Sequence, residues 1–146
     1  KKQITKREGY DGGAFYSRDG KRLVWRATDA SNQKAMKRYR DLIKENLTEP
    51  MKLEIVVANP DGSGAKQITH FGCASFAPVF TPDGKRILFA SNKHNCDGRN
   101  VEQVTNFGGF VSFGEFSPDG KRLVFSSDWM AKSRYEFNIF VADWVR

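Results

Sequence analysis

Long apolar runs are missing from this chain of 146 residues. No stretch approaches the ~18 consecutive apolar residues that a membrane-spanning helix needs, so such a helix is excluded. The first residues, 1–5, contain neither an initiator methionine nor the apolar core of a signal peptide. We therefore expect that a targeting segment has been removed or that the chain is a fragment. The missing segment does not favour a cytoplasmic location.

Catalytic motifs are also lacking. The chain contains no Gly-x-Ser-x-Gly elbow, no His-Glu-x-x-His pair and no phosphate-binding loop. The triplet at residues 62–64 is interpreted as a hairpin turn. The sequence therefore predicts a non-enzymatic protein with no cofactor and no small-molecule substrate.

Positive charge is in excess, with 24 Lys and Arg against 17 Asp and Glu, a formal net charge of +7. Much of it is a recurrent Lys-Arg pair, at 21–22, 85–86 and 121–122, and more lies in one mixed-charge segment at 34–45. No basic run is interleaved with aromatic residues in the way that single-strand binders require. Nucleic-acid binding is therefore not predicted.

An internal repeat organises the chain. A Gln-Ile/Val-Thr triplet and, further on, an Asp-Gly-Lys-Arg turn occur three times, and the turns are spaced by 64 and 36 residues. The aspartate holds such a turn through its side chain, and glycine takes the left-handed position. The predicted turn residues are Asp19, Gly20, Asp83, Gly84, Asp119 and Gly120. Each turn joins two antiparallel strands.

The strands around these turns predict stacked sheets. The runs at 23–25, 87–89 and 123–125 lack polar alternation, which indicates burial on both faces. A third strand follows at 53–59 and at 137–143, and another turn leads from the first of these to residues 65–69. Four strands at a period near 40 residues are typical of a β-propeller blade.

These motifs resemble the TolB-type β-propeller repeat. The resemblance implies an all-β propeller of four-stranded antiparallel blades, with about three blades here and about six in the whole protein. It also implies a periplasmic or other extracytoplasmic location and a protein partner in an envelope or membrane-associated complex. The chain would act there as a scaffold or accessory subunit.

The repeat divides residues 1–146 into parts of one propeller domain. Residues 1–5 are the outer strand of a preceding blade, and 13–69 form a blade with an insertion at 28–51. Residues 76–105 form a blade without its third strand, and 112–146 form the last blade, without its fourth. Because a skipped strand leaves its neighbours unpaired, we predict that about a dozen residues belong between Asn100 and Val101.

The insertion predicts an amphipathic helix over 33–46, with Ser31 or Asn32 as N-cap. Its apolar stripe either packs on the propeller or, with the Arg38 and Arg40 edge, docks a partner. The family topology places the connections at 70–74 and 94–97 on the same face of one blade. The candidate partner face comprises Met36, Arg38, Tyr39, Arg40, Ile43, His70, Phe71, His94, Asn95 and Asp97.

Rare side chains give weaker signals. His70, Cys73, His94 and Cys96 are either unrelated loop residues, a Cys73–Cys96 disulfide, or a tetrahedral zinc set. Asp29, Asp97 and Asp128 are solvated loop acids or an ion site. The three tryptophans, at 25, 129 and 144, are interpreted as core or rim aromatics rather than a carbohydrate platform.

Two other functional classes remain open. One is the substrate-gating propeller of a serine peptidase of the oligopeptidase or tricorn-like kind. The other is a propeller with lyase or hydrolase activity in its axial channel. The mass of the natural protein separates the first from a lone propeller, which at ~40 residues a blade amounts to roughly 30–50 kDa.

Overall fold

The computed structural model describes residues 1–47, 49, 52–92 and 101–145, which form three small antiparallel sheets and one helix. The strands are β1 (Asp11–Tyr16), β2 (Leu23–Thr28), β3 (Leu53–Ala58), β4 (Lys66–Gln67), β5 (Ser75–Phe80), β6 (Ile87–Ser91), β7 (Val111–Phe116), β8 (Arg122–Ser127) and β9 (Asn138–Asp143). The helix α1 spans Gln33–Lys44. The predicted all-β class with one helical insertion is confirmed for these residues, which form no closed ring.

The three sheets follow one another along the chain. The first has the strand order β1-β2-β3-β4, the second contains β5 and β6, and the third has the order β7-β8-β9. The strand β5 packs against β1, β2 and β3, and β7 packs against β5 and β6. Successive sheets are therefore stacked face to face.

The core lies mainly on the two faces of the first sheet. Val24 and Ile55 pack with Phe80 between the first and second sheets. Leu23 and Trp25 belong to a second cluster on the opposite face. Burial on both faces, which the unalternating strand pattern predicts, thus holds for β2, whereas the first four residues of β6 are only half-buried.

Each Asp-Gly-Lys-Arg segment makes the same tight turn. In the first, the Gly20 amide donates to the Ser17 carbonyl at 2.8 Å and the Ser17 hydroxyl donates to Asp19 Oδ1 at 2.6 Å. The second and third turns repeat both bonds at the equivalent positions. Gly20 has a φ of 70°, which only glycine adopts without strain. The three turns lie close together, since Arg18 donates to the Pro118 carbonyl at 2.6 Å and Arg22 donates to the Gly84 carbonyl.

The turn carboxylates predict a pH dependence. The Ser17 hydroxyl, followed by the Lys21 amide, holds the pKa of Asp19 below its ordinary value of 3.8. Because the folded pKa is lowered, the stabilisation is present above the unfolded pKa and is lost as the pH falls through the folded pKa. We expect an NMR titration of Asp19 to show a midpoint below 3.8 and Ser17→Ala to move it upward.

The third repeat provides the control for this titration. The Ser117 hydroxyl lowers the pKa of Asp119 in the same way. Ser117→Ala should therefore raise the Asp119 midpoint and leave the Asp19 midpoint unchanged. An Asp19 midpoint that does not respond to Ser17→Ala would contradict the assigned cause.

The helix α1 begins directly after its N-cap residue. Asn32 is the N-cap, and its side chain accepts a hydrogen bond from the Ala35 amide at 3.0 Å. The helix ends at Lys44, two residues before the predicted end, because Asn46 has a left-handed φ of 56°. In the part of the chain that the structure describes, no helix is long and apolar enough to cross a membrane.

The outer strands differ from the sequence-based expectation. Residues 1–5 and 101–105 form no β-ladder in the structure, although Gln103 Nε2 donates to the Thr105 carbonyl as Gln67 does to that of Thr69. The junction between Asn100 and Val101 lies outside the described residues. The insertion expected there, and the division of the chain into blades, stay predictions.

Candidate functional site

The helix α1 buries one part of its apolar stripe and exposes the other. Met36 is 3 % exposed, and Tyr39 is half-buried. Ile43, one turn beyond Tyr39, is 48 % exposed, and Leu47, just after the helix, is 53 % exposed. The stripe is therefore divided: its first half is buried or half-buried, and its second half faces solvent.

The arginines of the predicted partner face are held by acidic neighbours. Arg40 makes two hydrogen bonds to the Glu8 carboxylate, at 2.8 and 2.9 Å, and Arg38 Nε lies 3.1 Å from Glu49 Oε2. The hydrogen bond from Arg40 lowers the pKa of Glu8, and the same contact raises that of Arg40. Each of these two arginines is thus paired with a carboxylate of the same chain. The pairs link α1 to the segment before β1 and to the segment after the helix.

A polar corner joins the start of the helical insertion to the loop before β5. His70 is exposed, and its Nδ1 lies 3.1 Å from Gln67 Nε2. Asp29 has a lowered pKa, chiefly because the Ser31 hydroxyl donates to it, with smaller contributions from Gln67 and His70. The structure therefore brings His70 next to the segment that leads into α1.

Phe71 does not share this exposure. Its ring stacks on that of Phe89, with the centroids 6.1 Å apart, and the side chain is half-buried. Of the predicted partner face, the structure thus displays Ile43 and His70, packs Met36 and Phe71, and neutralises Arg38 and Arg40. His94, Asn95 and Asp97 lie outside the described residues.

The metal and disulfide hypotheses concern four residues, of which the structure describes only His70 and Cys73. Cys73 forms no disulfide with another described cysteine, and its Sγ lies 3.5 Å from Ser91 Oγ. Within the described ranges, no group of three or more His, Cys, Asp or Glu side chains is placed to hold a metal ion. His94 and Cys96 fall outside those ranges, so the zinc set and the Cys73–Cys96 disulfide stay predictions.

The loop acids after the second strands serve local structure. Asp29 accepts the hydroxyl and amide of Ser31. Asp128 accepts the Phe110 amide at 2.8 Å. These bonds account for both side chains as loop-stabilising acids, and Asp97 lies outside the described residues.

The aromatic residues of the third sheet form a cluster that the sequence did not reveal. Trp129 stacks on Phe107, with the centroids 4.9 Å apart, and lies 5.4 Å from Phe140. Trp144 meets Phe116 edge to face, and Trp25 is buried in the first sheet with its indole nitrogen bonded to Asp11. The tryptophans therefore act as packing residues, which agrees with their interpretation as core or rim aromatics.

Comparison with known proteins gives a short match. The chain is 50 % identical over 40 residues to dipeptidyl-peptidase 5 of Porphyromonas gingivalis, which covers 27 % of this chain and 6 % of that protein. No family model matches the chain. A match of 40 residues is about one repeat in length, since propeller repeats run to ~40 residues.

Proposed function

We propose that this chain is part of a non-enzymatic, TolB-like β-propeller that binds a protein partner through α1 in the cell envelope. The observation that carries the proposal is the divided stripe of α1. Met36 is buried and Arg40 pairs with Glu8 of the segment before β1, while Ile43 and Leu47 project apolar surface into solvent. A helix held in this way loses little conformational entropy when it binds.

The three stacked sheets support this mode of action. In each sheet a tight turn joins the first two strands, and the sheets pack on one another through β5 and β7. The loops and α1 are consequently presented in fixed positions, and such rigid scaffolds commonly display binding residues on loops. The proposal also includes an extracytoplasmic location and a role as a scaffold or accessory subunit of a larger complex.

The test is site-specific photocrosslinking in the cells from which the chain comes. A photoreactive residue at Ile43 should crosslink a discrete protein, because this side chain is exposed on the proposed face. The matched control is the same residue at Ile139, which is 72 % exposed on β9. Ile43→Glu should abolish co-purification of the crosslinked protein without lowering the thermal midpoint. Equal crosslinking from both sites, or none from Ile43, would contradict the proposal.

A second candidate is the substrate-gating propeller of a serine peptidase. The 40-residue identity to a protein named as a dipeptidyl-peptidase favours this class. In that case the natural protein carries a hydrolase domain and exceeds about 70 kDa, well beyond a lone propeller of ~40-residue blades. Labelling of the natural protein by a serine-directed fluorophosphonate probe would support the peptidase, and an unlabelled protein of roughly 30–50 kDa would exclude it.

A further inference from the structure

A half-buried arginine lies between the first and second sheets. Arg26 belongs to β2, whose other residues are all buried. Val24, two residues earlier and therefore on the same face of β2, packs with Phe80 of the second sheet. The guanidinium carbon of Arg26 lies 5.5 Å from the centre of the Phe76 ring in β5. The positive charge is thus placed on a face that β2 otherwise uses for apolar packing.

The neighbouring strand makes room for this side chain. The partner of Arg26 in β1 is Gly12, and a β-carbon at the next residue, Gly13, would lie 3.8 Å from Arg26 Nε. The equivalent pairs of the other two sheets are Phe76 with Ala90 and Ser112 with Ser126. Only the first sheet therefore places a cation here. Because β1 is an edge strand and Gly13 is exposed, the guanidinium lies next to solvent.

Two aromatic rings flank the guanidinium. Its carbon lies 5.6 Å from the centre of the Tyr10 ring, and its Nη2 donates to the Tyr10 hydroxyl at 3.0 Å. Phe76 is the second ring. Gly12 permits this position of Tyr10, because a β-carbon there would clash with the hydroxyl oxygen. The ring faces attract the cation but give its in-plane N–H groups no acceptor.

Most hydrogen-bond donors of Arg26 have no protein partner. A guanidinium carries several N–H donors and stays charged in proteins. Within the described ranges, the bond to Tyr10 is the only hydrogen bond that Arg26 makes, and its Nε is buried without a partner. Buried polar atoms are nearly always bonded to the protein, to water or to an ion. The arginine therefore has the capacity to bind a further acceptor.

No acidic side chain in the described part of the chain pairs with this cation. The acid beside Gly12 is Asp11, which accepts hydrogen bonds from Arg7 at 2.8 Å and from the Trp25 indole nitrogen at 2.9 Å. Side chains alternate along a strand, so Trp25 points to the face of β2 opposite Arg26. A partly desolvated cation without a counter-ion is unfavourable, and a bound anion offsets that cost.

We propose that Arg26 anchors a carboxylate-binding site at the edge of the first sheet, between Tyr10 and Phe76. A guanidinium matches a planar carboxylate through parallel N–H bonds. A lone cation favours this monoanion over phosphate, which proteins commonly hold at a helix N-terminus or with several cations. The two rings pack against the carbon atoms that bear the carboxylate. Its source is the end of a polypeptide or an acidic side chain.

The probe is N-acetyl-leucine, whose one charge is a terminal carboxylate, and N-acetyl-leucinamide is the uncharged control. The NMR signal of the Arg26 Nε–H group in the full chain should shift saturably with the acid, with a dissociation constant of roughly millimolar order. It should not move with the amide. The α-amide of N-acetyl-glutamic acid carries its carboxylate on the side chain, so the tighter of the two acids identifies the source.

Three outcomes of this titration would overturn the proposal. They are an equal response to the amide, tighter binding of inorganic phosphate than of either acid, and no saturable shift at about 50 mM acid, well above the expected constant. Because the titration uses the unaltered chain, it does not depend on the folding of any variant.

Substitutions test the role of the guanidinium. Arg26→Lys keeps the charge but loses the planar fork, so binding of N-acetyl-leucine should weaken by at least about tenfold. Arg26→Met should abolish it. Arg22→Met is the matched control, because Arg22 also lies over a ring, 4.6 Å from the Phe80 centre, but already donates to the Gly84 carbonyl. Unchanged binding in both Arg26 variants, or an equal loss in Arg22→Met, would contradict the site. Thermal unfolding checks that each variant folds.

A titration without ligand tests whether the chain itself supplies the carboxylate. The Arg26 signal should stay in place as the pH falls from about 7 to 4, where Asp and Glu begin to be protonated. It should also be unaffected by Asp97→Asn, a change outside the described residues. A shift in either experiment as large as that caused by N-acetyl-leucine would overturn the proposal, because an acid of the chain would then occupy the site.

The Arg26 site and the proposed α1 face are separable by experiment. Ile43→Glu should leave binding of N-acetyl-leucine unchanged, because Ile43 lies on α1 and contacts neither ring. Loss of the crosslinked partner with retained binding of the acid would affect the proposed function alone. Retained crosslinking with no binding of the acid would affect the Arg26 site alone.

Discussion

Replacement of Ile55 by alanine is expected to lower the free energy of unfolding by about 2–5 kcal/mol. Ile55 is fully buried and packs with Val24 and Phe80 between the first two sheets. The substitution removes apolar contacts and leaves a cavity that rigid strands on both sides cannot close. Urea denaturation followed by tryptophan fluorescence measures the loss as a lower midpoint at constant slope.

The repeat supplies the matched control for this substitution. Ile139 occupies the equivalent position in β9, pairing with Ser126 as Ile55 pairs with Arg26. It is 72 % exposed, so Ile139→Ala should change the free energy of unfolding by less than about 0.5 kcal/mol. Equal losses from the two substitutions would contradict the packing of the first sheet against the second.

Thr69→Val is expected to cost about 1–3 kcal/mol for each buried polar group that it leaves unsatisfied. The Thr69 hydroxyl accepts the Ile55 amide at 2.8 Å and donates to the buried Glu54 carboxylate at 2.6 Å. Valine has nearly the same shape but offers neither bond. The free energy of unfolding from urea denaturation should fall accordingly, with the Gly72 amide remaining as a donor to Glu54.

Two further variants make the Thr69 result specific. Thr69→Ser keeps the hydroxyl and should recover most of the lost stability. Thr105 is the corresponding residue of the third Gln-Ile/Val-Thr triplet, and within the described residues its hydroxyl joins no such pair of buried groups. Thr105→Val should therefore change stability by less than about 0.5 kcal/mol. A loss at Thr105 as large as that at Thr69 would contradict the assigned network.

The turns were predictable because their causes are local. The bonds that close each turn join residues within four positions of one another. In the first turn they join Ser17 to Asp19 and Gly20 to Ser17. The helix was predictable for the same reason, since the Asn32 cap lies beside the segment it caps. Only the predicted end of the helix was wrong, by two residues, because the chain turns at Asn46.

The candidate site was less predictable, because its residues are joined across the chain. The exposed ion pair between Arg40 and Glu8 joins residues that are 32 apart in the sequence. The stacking of Phe71 on Phe89 turns a predicted contact residue into a packing residue. Neither partner is marked in the sequence by spacing or by type.

The β-bulges show another effect that the pattern does not reveal. The first hairpin of each sheet shifts register at the same point, with a positive φ at Gly13, Ala77 and Phe113. Glycine accepts that conformation readily, whereas the other two residues adopt it at a cost. Because only one copy carries glycine, the bulge could not be inferred from residue type.

The sequence by itself determined the repeat, the turns, the strands beside them and the helical insertion, because each depends on neighbouring residues. Only the tertiary structure decided which faces of those elements are buried. The same Ile-x-Val pattern is buried at Ile55 and exposed at Ile139, since another sheet packs on only one of them. Likewise Ile87 and Phe89 match buried residues of β2, yet they are only half-buried. Burial depends on the neighbouring sheet, and a local pattern does not specify that neighbour.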